Sequence, residues 1–358
     1  MKPKRTKEST DSQKATGFPF GLPFPKKVVH SLKNVPHDVG KEQPPAEWTR
    51  FRKKSLQNMG VDISDDLSQV FSPLRERFDE RFKGGLVEDA LKCAGEIYSA
   101  IIRGNPTFAA TVPVVLERFD RSKPEVIGSA VLIRIVNRPF LLTAAHVTDY
   151  ECEGALLIPG KHGFMQITGD FAAMRLPPSG RRADDKLDVA YFGLDDDCAS
   201  NLHSDRAALE RSDVLLEAEP VRRTAYTLAG YPWRKAQTVV GRIEADFCTL
   251  SGVEAKKSEY EAMGLSRSMH IAVRFHRRRT FHDRKRRVMT APLPHGMSGG
   301  GVYVWNEEAM KKWPIRLPLV GIANEYIPER SLLIATRLHV YISCIFHNHH
   351  DLAAIAGG

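Results

Sequence analysis

The sequence predicts a mainly β protein, a barrel or a sandwich, carried behind a helical N-terminal extension. Three observations give this reading. After residue 105 the chain breaks into short runs rich in Val, Ile, Leu, Thr and Tyr, with turn residues between many of them. Residues 111–116, 239–243 and 270–275 are examples, and such runs read as strands. Before residue 105 the period changes. Leu86, Val87, Ala90, Leu91, Ala94, Ile97, Tyr98, Ile101 and Ile102 recur at helical spacing between the breakers Gly85 and Gly104. No internal repeat appears, which removes solenoids and propellers.

The elements follow in order. Residues 1–45 are rich in Lys, Ser and Pro with few regularly spaced apolar residues, the composition of a disordered basic tail. Within it, residues 18–25 read as a linker or a short docking segment. Residues 46–104 read as a helical extension. One apolar stripe needs a cover, which the β domain or a protein partner would supply. Residues 105–347 form the β domain, and 348–358 a C-terminal tail. The 358 residues, 42% hydrophobic, are enough for a sizeable core.

The cysteines, Cys93, Cys152, Cys198, Cys248 and Cys344, are odd in number and lack metal-ligand spacing. That argues for reduced thiols and a cytoplasmic setting. No 18-residue apolar run predicts a membrane span. The basic start of the chain has no apolar signal core behind it, since Pro19 and Pro23 break residues 18–24.

Three segments carry the chemistry: Leu142-Thr143-Ala144-Ala145-His146-Val147, then Lys186-Leu187-Asp188-Val189-Ala190, then His295-Gly296-Met297-Ser298-Gly299-Gly300. A serine hydroxyl is a weak nucleophile near neutral pH. It needs a base for its proton, and the base needs a carboxylate to hold its tautomer. Taken singly, His146 reads equally as a core histidine, Asp188 as a turn residue and the glycines as a tight turn. Taken together, the order, spacing and flanks point to acyl transfer at Ser298.

This order and these flanks resemble the trypsin/chymotrypsin-like serine peptidases, whose triad runs His, Asp, Ser along the chain. The resemblance covers roughly residues 108–347. It extends to the strand segment Gly128–Ile133, to Leu228-Ala229-Gly230-Tyr231-Pro232, to the strand Leu319–Ala323 and to a closing strand and helix over 335–342. It implies a trypsin-like double β-barrel with Greek-key topology and a C-terminal helix. It implies that His146, Asp188 and Ser298 are the triad, and that the N–H groups of Gly296 and Ser298 form the oxyanion hole. Asn324, Glu325 and Pro292 fall where the family lines substrate subsites.

Two departures place the chain nearer the bacterial and viral relatives than the animal digestive enzymes. Val147 stands where those enzymes have a disulfide-bonded cysteine. Met297 stands where they have the aspartate that pairs with a newly released N-terminus. Pro292, six residues before Ser298, stands where an acid selects Lys or Arg, which implies a non-tryptic specificity.

The net charge of +9 is concentrated in two places. Residues 1–54 hold thirteen Lys/Arg against five Asp/Glu. Residues 274–288 hold seven Arg, one Lys and one Asp, and read as a hairpin with residues 277–283 at or near its tip. Such a run is a solvated loop or an electrostatic guide for acidic peptide substrates or an acidic partner. Nucleic-acid contact through phosphates is the less favoured use. His347, His349 and His350 lie near the C-terminus without a carboxylate or cysteine cluster of metal-site spacing, so no metal and no cofactor are expected.

Overall fold

The computed structural model describes residues 105–120, 123–202, 207–216, 224–233, 236–239, 242–275, 277, 280–282, 287–291, 293–306 and 315–356. The basic tail 1–45, the helical extension 46–104 and Pro292 lie outside these residues.

The fold is mostly β, with two sheet units and a C-terminal helix. The first unit holds β1 (Thr111–Arg118), β2 (Glu125–Ile135), β3 (Arg138–Ala144), β4 (Gly154–Gly160), β5 (Gly163–Gln166), β6 (Gly169–Ala173) and β7 (Val189–Leu194). They form one seven-stranded sheet in the order β5-β4-β1-β2-β3-β7-β6. The second unit starts with β8 (Ala225–Gly230), followed by a hairpin of β9 (Ala236–Val239) and β10 (Arg242–Ala245). Then come β11 (Cys248–Glu254), β12 (His270–Arg274), a second hairpin of β13 (Thr280–His282) and β14 (Arg287–Met289), β15 (Gly301–Trp305), β16 (Leu319–Ile327) and β17 (Leu332–Arg337). Six of these close a barrel, β11-β12-β17-β16-β15-β8.

Both units use the same return. In each, three consecutive strands form a meander and the fourth main strand lies beside the first: β4-β1-β2-β3 in one, β15-β8-β11-β12 in the other. That spatial order, 4-1-2-3, is a Greek key. The topological repeat is silent in the sequence because it needs only apolar alternation, which many residue choices supply. The double-barrel expectation needs one adjustment. The first unit has seven strands and stays open, since β5 and β6 do not pair with each other among the described residues.

Other expectations shift locally. The run 239–243 is split between two paired strands, with Val239 ending β9 and Arg242 and Ile243 opening β10, instead of forming one strand. The basic run does contain paired strands, β13 with β14, and Arg277 precedes the first of them. Arg277 Nε donates to the Ala291 carbonyl at 2.8 Å, and Arg274 pairs with Glu259 at 2.6 Å. The stretch expected as a C-terminal tail contains a second helix, His350–Ala356, and its Leu352 is buried in the core.

One core spans both units. It joins Val112, Leu132, Phe140, Leu141 and Tyr191 of the first sheet to Tyr303, Leu319 and Ile322 of the barrel. The helix Leu338–Asn348 leaves β17 and crosses back to the first sheet. There the Tyr341 hydroxyl donates to the Thr143 carbonyl at 2.9 Å, beside the His-bearing segment. Asn105, Phe108 and the short turn of 3-10 helix Pro106–Ala110 close the other end, with Phe108 edge-on to Tyr303 at 4.7 Å. Among the described residues Cys152, Cys198, Cys248 and Cys344 form no disulfide with one another. No described helix is long and apolar enough to cross a membrane.

Candidate active site

His146 sits in the short helix Ala145–Thr148 that follows β3 directly. The run Phe140, Leu141, Leu142 is fully buried, so β3 anchors this helix rigidly in the first unit. Asp188 sits just before β7, the neighbour of β3. The two residues, 42 apart in sequence, meet because β3 and β7 pair antiparallel.

The pair is held twice. The His146 backbone N–H donates to Asp188 Oδ1 at 2.9 Å, and Nδ1–H donates to Oδ2 at 2.6 Å. A carboxylate only accepts, so this contact fixes the Nδ1–H tautomer and leaves Nε2 as an acceptor. The His146 side chain is 34% exposed and that of Asp188 8%. Burial opposes a charge on His146, yet the Asp188 hydrogen bond and the charges of Asp188 and Asp149 outweigh it and raise its pKa above the ordinary 6.5. Arg182 acts in the opposite sense.

Asp188 adopts φ +49, a left-handed conformation that Asp tolerates better than most residues. The Asp185 carboxylate stabilises this turn by accepting the N–H groups of Leu187 at 3.1 Å and Asp188 at 3.0 Å. The second unit grips the same loop from the other side. His270 Nε2 donates to the Lys186 carbonyl at 3.0 Å. Asn324 Nδ2 and Thr336 Oγ1 donate to the Leu187 carbonyl at 2.9 and 2.6 Å.

Ser298 lies in the tight turn before β15. The turn is pinned to the first unit through fully buried Ser129 on β2. The Ser129 N–H donates to the Ser298 carbonyl at 2.8 Å, and its Oγ donates to the Gly296 carbonyl at 3.0 Å. Glycine is required by this closeness. A Cβ at Gly299, whose φ is +83, would lie 1.9 Å from the Ser129 carbonyl oxygen. Met297 is buried in the barrel core, an apolar anchor with no ionic function.

The peptide planes of the turn are fixed by their carbonyls. The Trp233 N–H holds the His295 carbonyl at 3.0 Å, and the Gly300 N–H holds the Met297 carbonyl at 2.9 Å. In a planar trans peptide the N–H points opposite to the C=O. The N–H groups of Gly296 and Ser298 are therefore turned away from these partners, and neither has a hydrogen-bond partner among the described residues. Both N–H groups are therefore open among the described residues.

Ser298 Oγ donates to the Asn324 carbonyl at 3.0 Å and makes no hydrogen bond to His146. Asn324 is the extra residue of a bulge in β16, where Ala323 pairs with Ala335 and Glu325 with Ile334. A bulge leaves its residue out of the ladder, which frees this carbonyl to face Ser298. Its side chain points inward to Leu187 and Thr336 and does not line an open subsite. Glu325 is exposed. The sequence did not single out Ser129, Trp233, Asp185, His270 or Thr336; the partners of all but Asp185 lie far away in sequence, and only the Asp-x-x-Asp spacing of Asp185 and Asp188 carried a local hint.

The His146–Asp188 pair thus belongs to the first β unit, and Ser298 to a glycine-rich turn of the second. The chain is similar in structure to kallikrein-related peptidase 10 in complex with Zn2+ (17% identity, 69% of this chain and 98% of that one covered, TM-score 0.42). It is similar to neuropsin, a serine protease of mouse brain (12% identity, 68% and 96% covered, TM-score 0.43). It is also similar to catalytically inactive tobacco etch virus protease complexed with substrate (11% identity, 65% and 80% covered, TM-score 0.36). No protein-family model and no curated sequence matches the chain.

Proposed function

We propose that the protein is a serine endopeptidase that cleaves polypeptides through an acyl-enzyme, with His146, Asp188 and Ser298 as its triad. The observation that carries this is the fixed His146–Asp188 tautomer beside a serine turn whose Gly296 and Ser298 N–H groups are open. In the reaction Ser298 Oγ leaves the Asn324 carbonyl and bonds to the substrate carbonyl carbon, its proton passing to His146 Nε2. The carbonyl oxygen becomes an anion between the two N–H groups. The C–N bond breaks and the leaving amine takes the proton from Nε2. Water then attacks the acyl ester with His146 again as base. Each oxyanion donor contributes about 2.7–4 kcal/mol to transition-state stabilisation.

The finer reading is an intracellular enzyme of non-tryptic specificity, supported by the odd cysteine count and by Pro292 at the position six before Ser298. Its substrate is a polypeptide, with acidic segments favoured by the basic run at 274–288. Labelling with a fluorophosphonate tests the function: wild type reacts at Ser298, while Ser298→Ala and His146→Ala do not.

One observation favours a second reading, a catalytically silent binding protein of the same fold. Ser298 Oγ is hydrogen-bonded to Asn324 and not to His146. In resting enzymes such contacts are often loose and tighten only on substrate binding. The labelling experiment separates the two readings.

A further inference from the structure

Arg182 lies in a one-turn 3-10 helix, Arg182–Asp184, in the first unit. Its guanidinium has three partners. Nε and Nη2 form a bidentate pair with Asp149, at 2.9 and 2.6 Å. Nη1 donates to Asp185 Oδ2 at 3.1 Å and to the Met174 carbonyl at 2.8 Å. The Arg182 side chain is 16% exposed and that of Asp185 5%, so their contact is largely shielded from water, while Asp149 is 42% exposed.

The two acids are symmetrically placed about the site. Asp149 follows the His-bearing helix and lies three residues after His146. Asp185 lies three residues before Asp188 and caps its left-handed turn through the N–H groups of Leu187 and Asp188. Arg182 thus touches both the end of the His helix and the base of the Asp turn.

We propose that Arg182 is a positioning residue for the active site: by bridging Asp149 and Asp185 it locks the His146 helix against the Asp188 turn. This rests on the serine-peptidase reading for its effect on catalysis, but its geometry stands alone. A bidentate guanidinium fixes both angle and distance, which an ammonium does not. A second consequence is electrostatic. The charged groups facing His146 are Asp188, Asp149 and Arg182, and Arg182 is the one that opposes protonation of the imidazole.

The test compares Arg182→Ala, Arg182→Lys and, as a neighbouring control, Arg181→Ala in the full chain. Arg181 pairs with Asp184 and its side chain is 75% exposed. Two signals are read against pH: the rate of fluorophosphonate labelling at Ser298, and the downfield proton NMR resonance of His146 Nδ1–H. Arg182→Ala is expected to lower the labelling rate about 10- to 100-fold through misplacement of the pair. It is also expected to move the titration of His146 upward. Arg182→Lys restores the titration and only part of the rate, and Arg181→Ala matches wild type. If Arg182→Ala does not fold, the Lys variant decides. A rate and a titration equal to wild type in the folded Arg182 variants overturn the proposal. If wild type itself does not label, the peptidase reading falls, and the NMR titration alone still judges the clamp.

Discussion

The backbone N–H of Trp233 donates to the carbonyl of His295 at 3.0 Å, across the edge of the second barrel. This bond turns the Gly296 N–H away from Trp233, and in the proposed reaction that N–H meets the developing oxyanion. Gly296 has φ +86, and a Cβ there would lie 2.6 Å from the Trp233 nitrogen. Gly296→Ala should therefore break this contact and rotate the peptide. We expect kcat to fall about 100- to 1,000-fold, the loss of one oxyanion donor, with KM changed little. Steady-state kinetics on a peptide substrate, with circular dichroism to check folding, measures it.

The titration of His146 gives a signed pH dependence. The base must be neutral to accept the Ser298 proton, and its pKa is raised above 6.5, first against burial and then by Asp188 and Asp149. kcat/KM should rise with pH through an apparent pKa above 6.5. Stability runs the other way: a group whose folded pKa is raised stabilises the fold below its unfolded pKa, and that contribution is lost as pH rises through the folded value. Asp188→Asn removes the largest raising influence and should shift the profile downward while abolishing most activity. A pH–rate profile of each protein checks both statements.

Phe108 is buried between Tyr303 and Phe247, with ring centroids at 4.7 and 6.0 Å. It fastens the segment before β1 to the barrel. Phe108→Ala should cost about 3–5 kcal/mol and lower the melting temperature without moving the pH–rate profile. Thermal denaturation followed by kinetics separates these effects.

Arg277 binds the Ala291 carbonyl, seven residues before Ser298, and the Ala291 N–H donates back to the Arg277 carbonyl at 2.8 Å. Arg277→Ser should slow turnover of acidic and neutral substrates alike, independently of salt, because the anchor at Ala291 before the serine turn loosens. The double variant Arg278→Ser with Arg279→Ser should instead lower kcat/KM for acidic substrates alone, with the difference fading as salt rises. Paired kinetics at low and high salt distinguishes support from steering.

The residues proposed for the chemistry stand out in the sequence. His146 follows an apolar strand run, Ser298 sits among glycines, and Asp188 opens a strand, so each carries its own setting. The strands were legible through their apolar runs, except at 239–243, where the end of β9 and the start of β10 carry the same apolar composition as one strand. What stayed hidden is support across distance. Ser129 holds a turn 167 residues away, and His270 holds a carbonyl 84 residues away. Nothing in the neighbourhood of either residue encodes its partner. Asn324 was placed by resemblance on the substrate side; its bulge and its inward side chain depend on the β16–β17 register, which apolar alternation does not specify.

The most direct test of the account is the identity of the residue that a fluorophosphonate modifies in the full-length protein, read by mass spectrometry. A single adduct on Ser298 is expected in wild type, absent in Ser298→Ala and slowed by orders of magnitude in His146→Ala. A wild-type protein that is folded and leaves Ser298 unmodified, or a Ser298→Ala variant that still hydrolyses peptides at the wild-type rate, would contradict it.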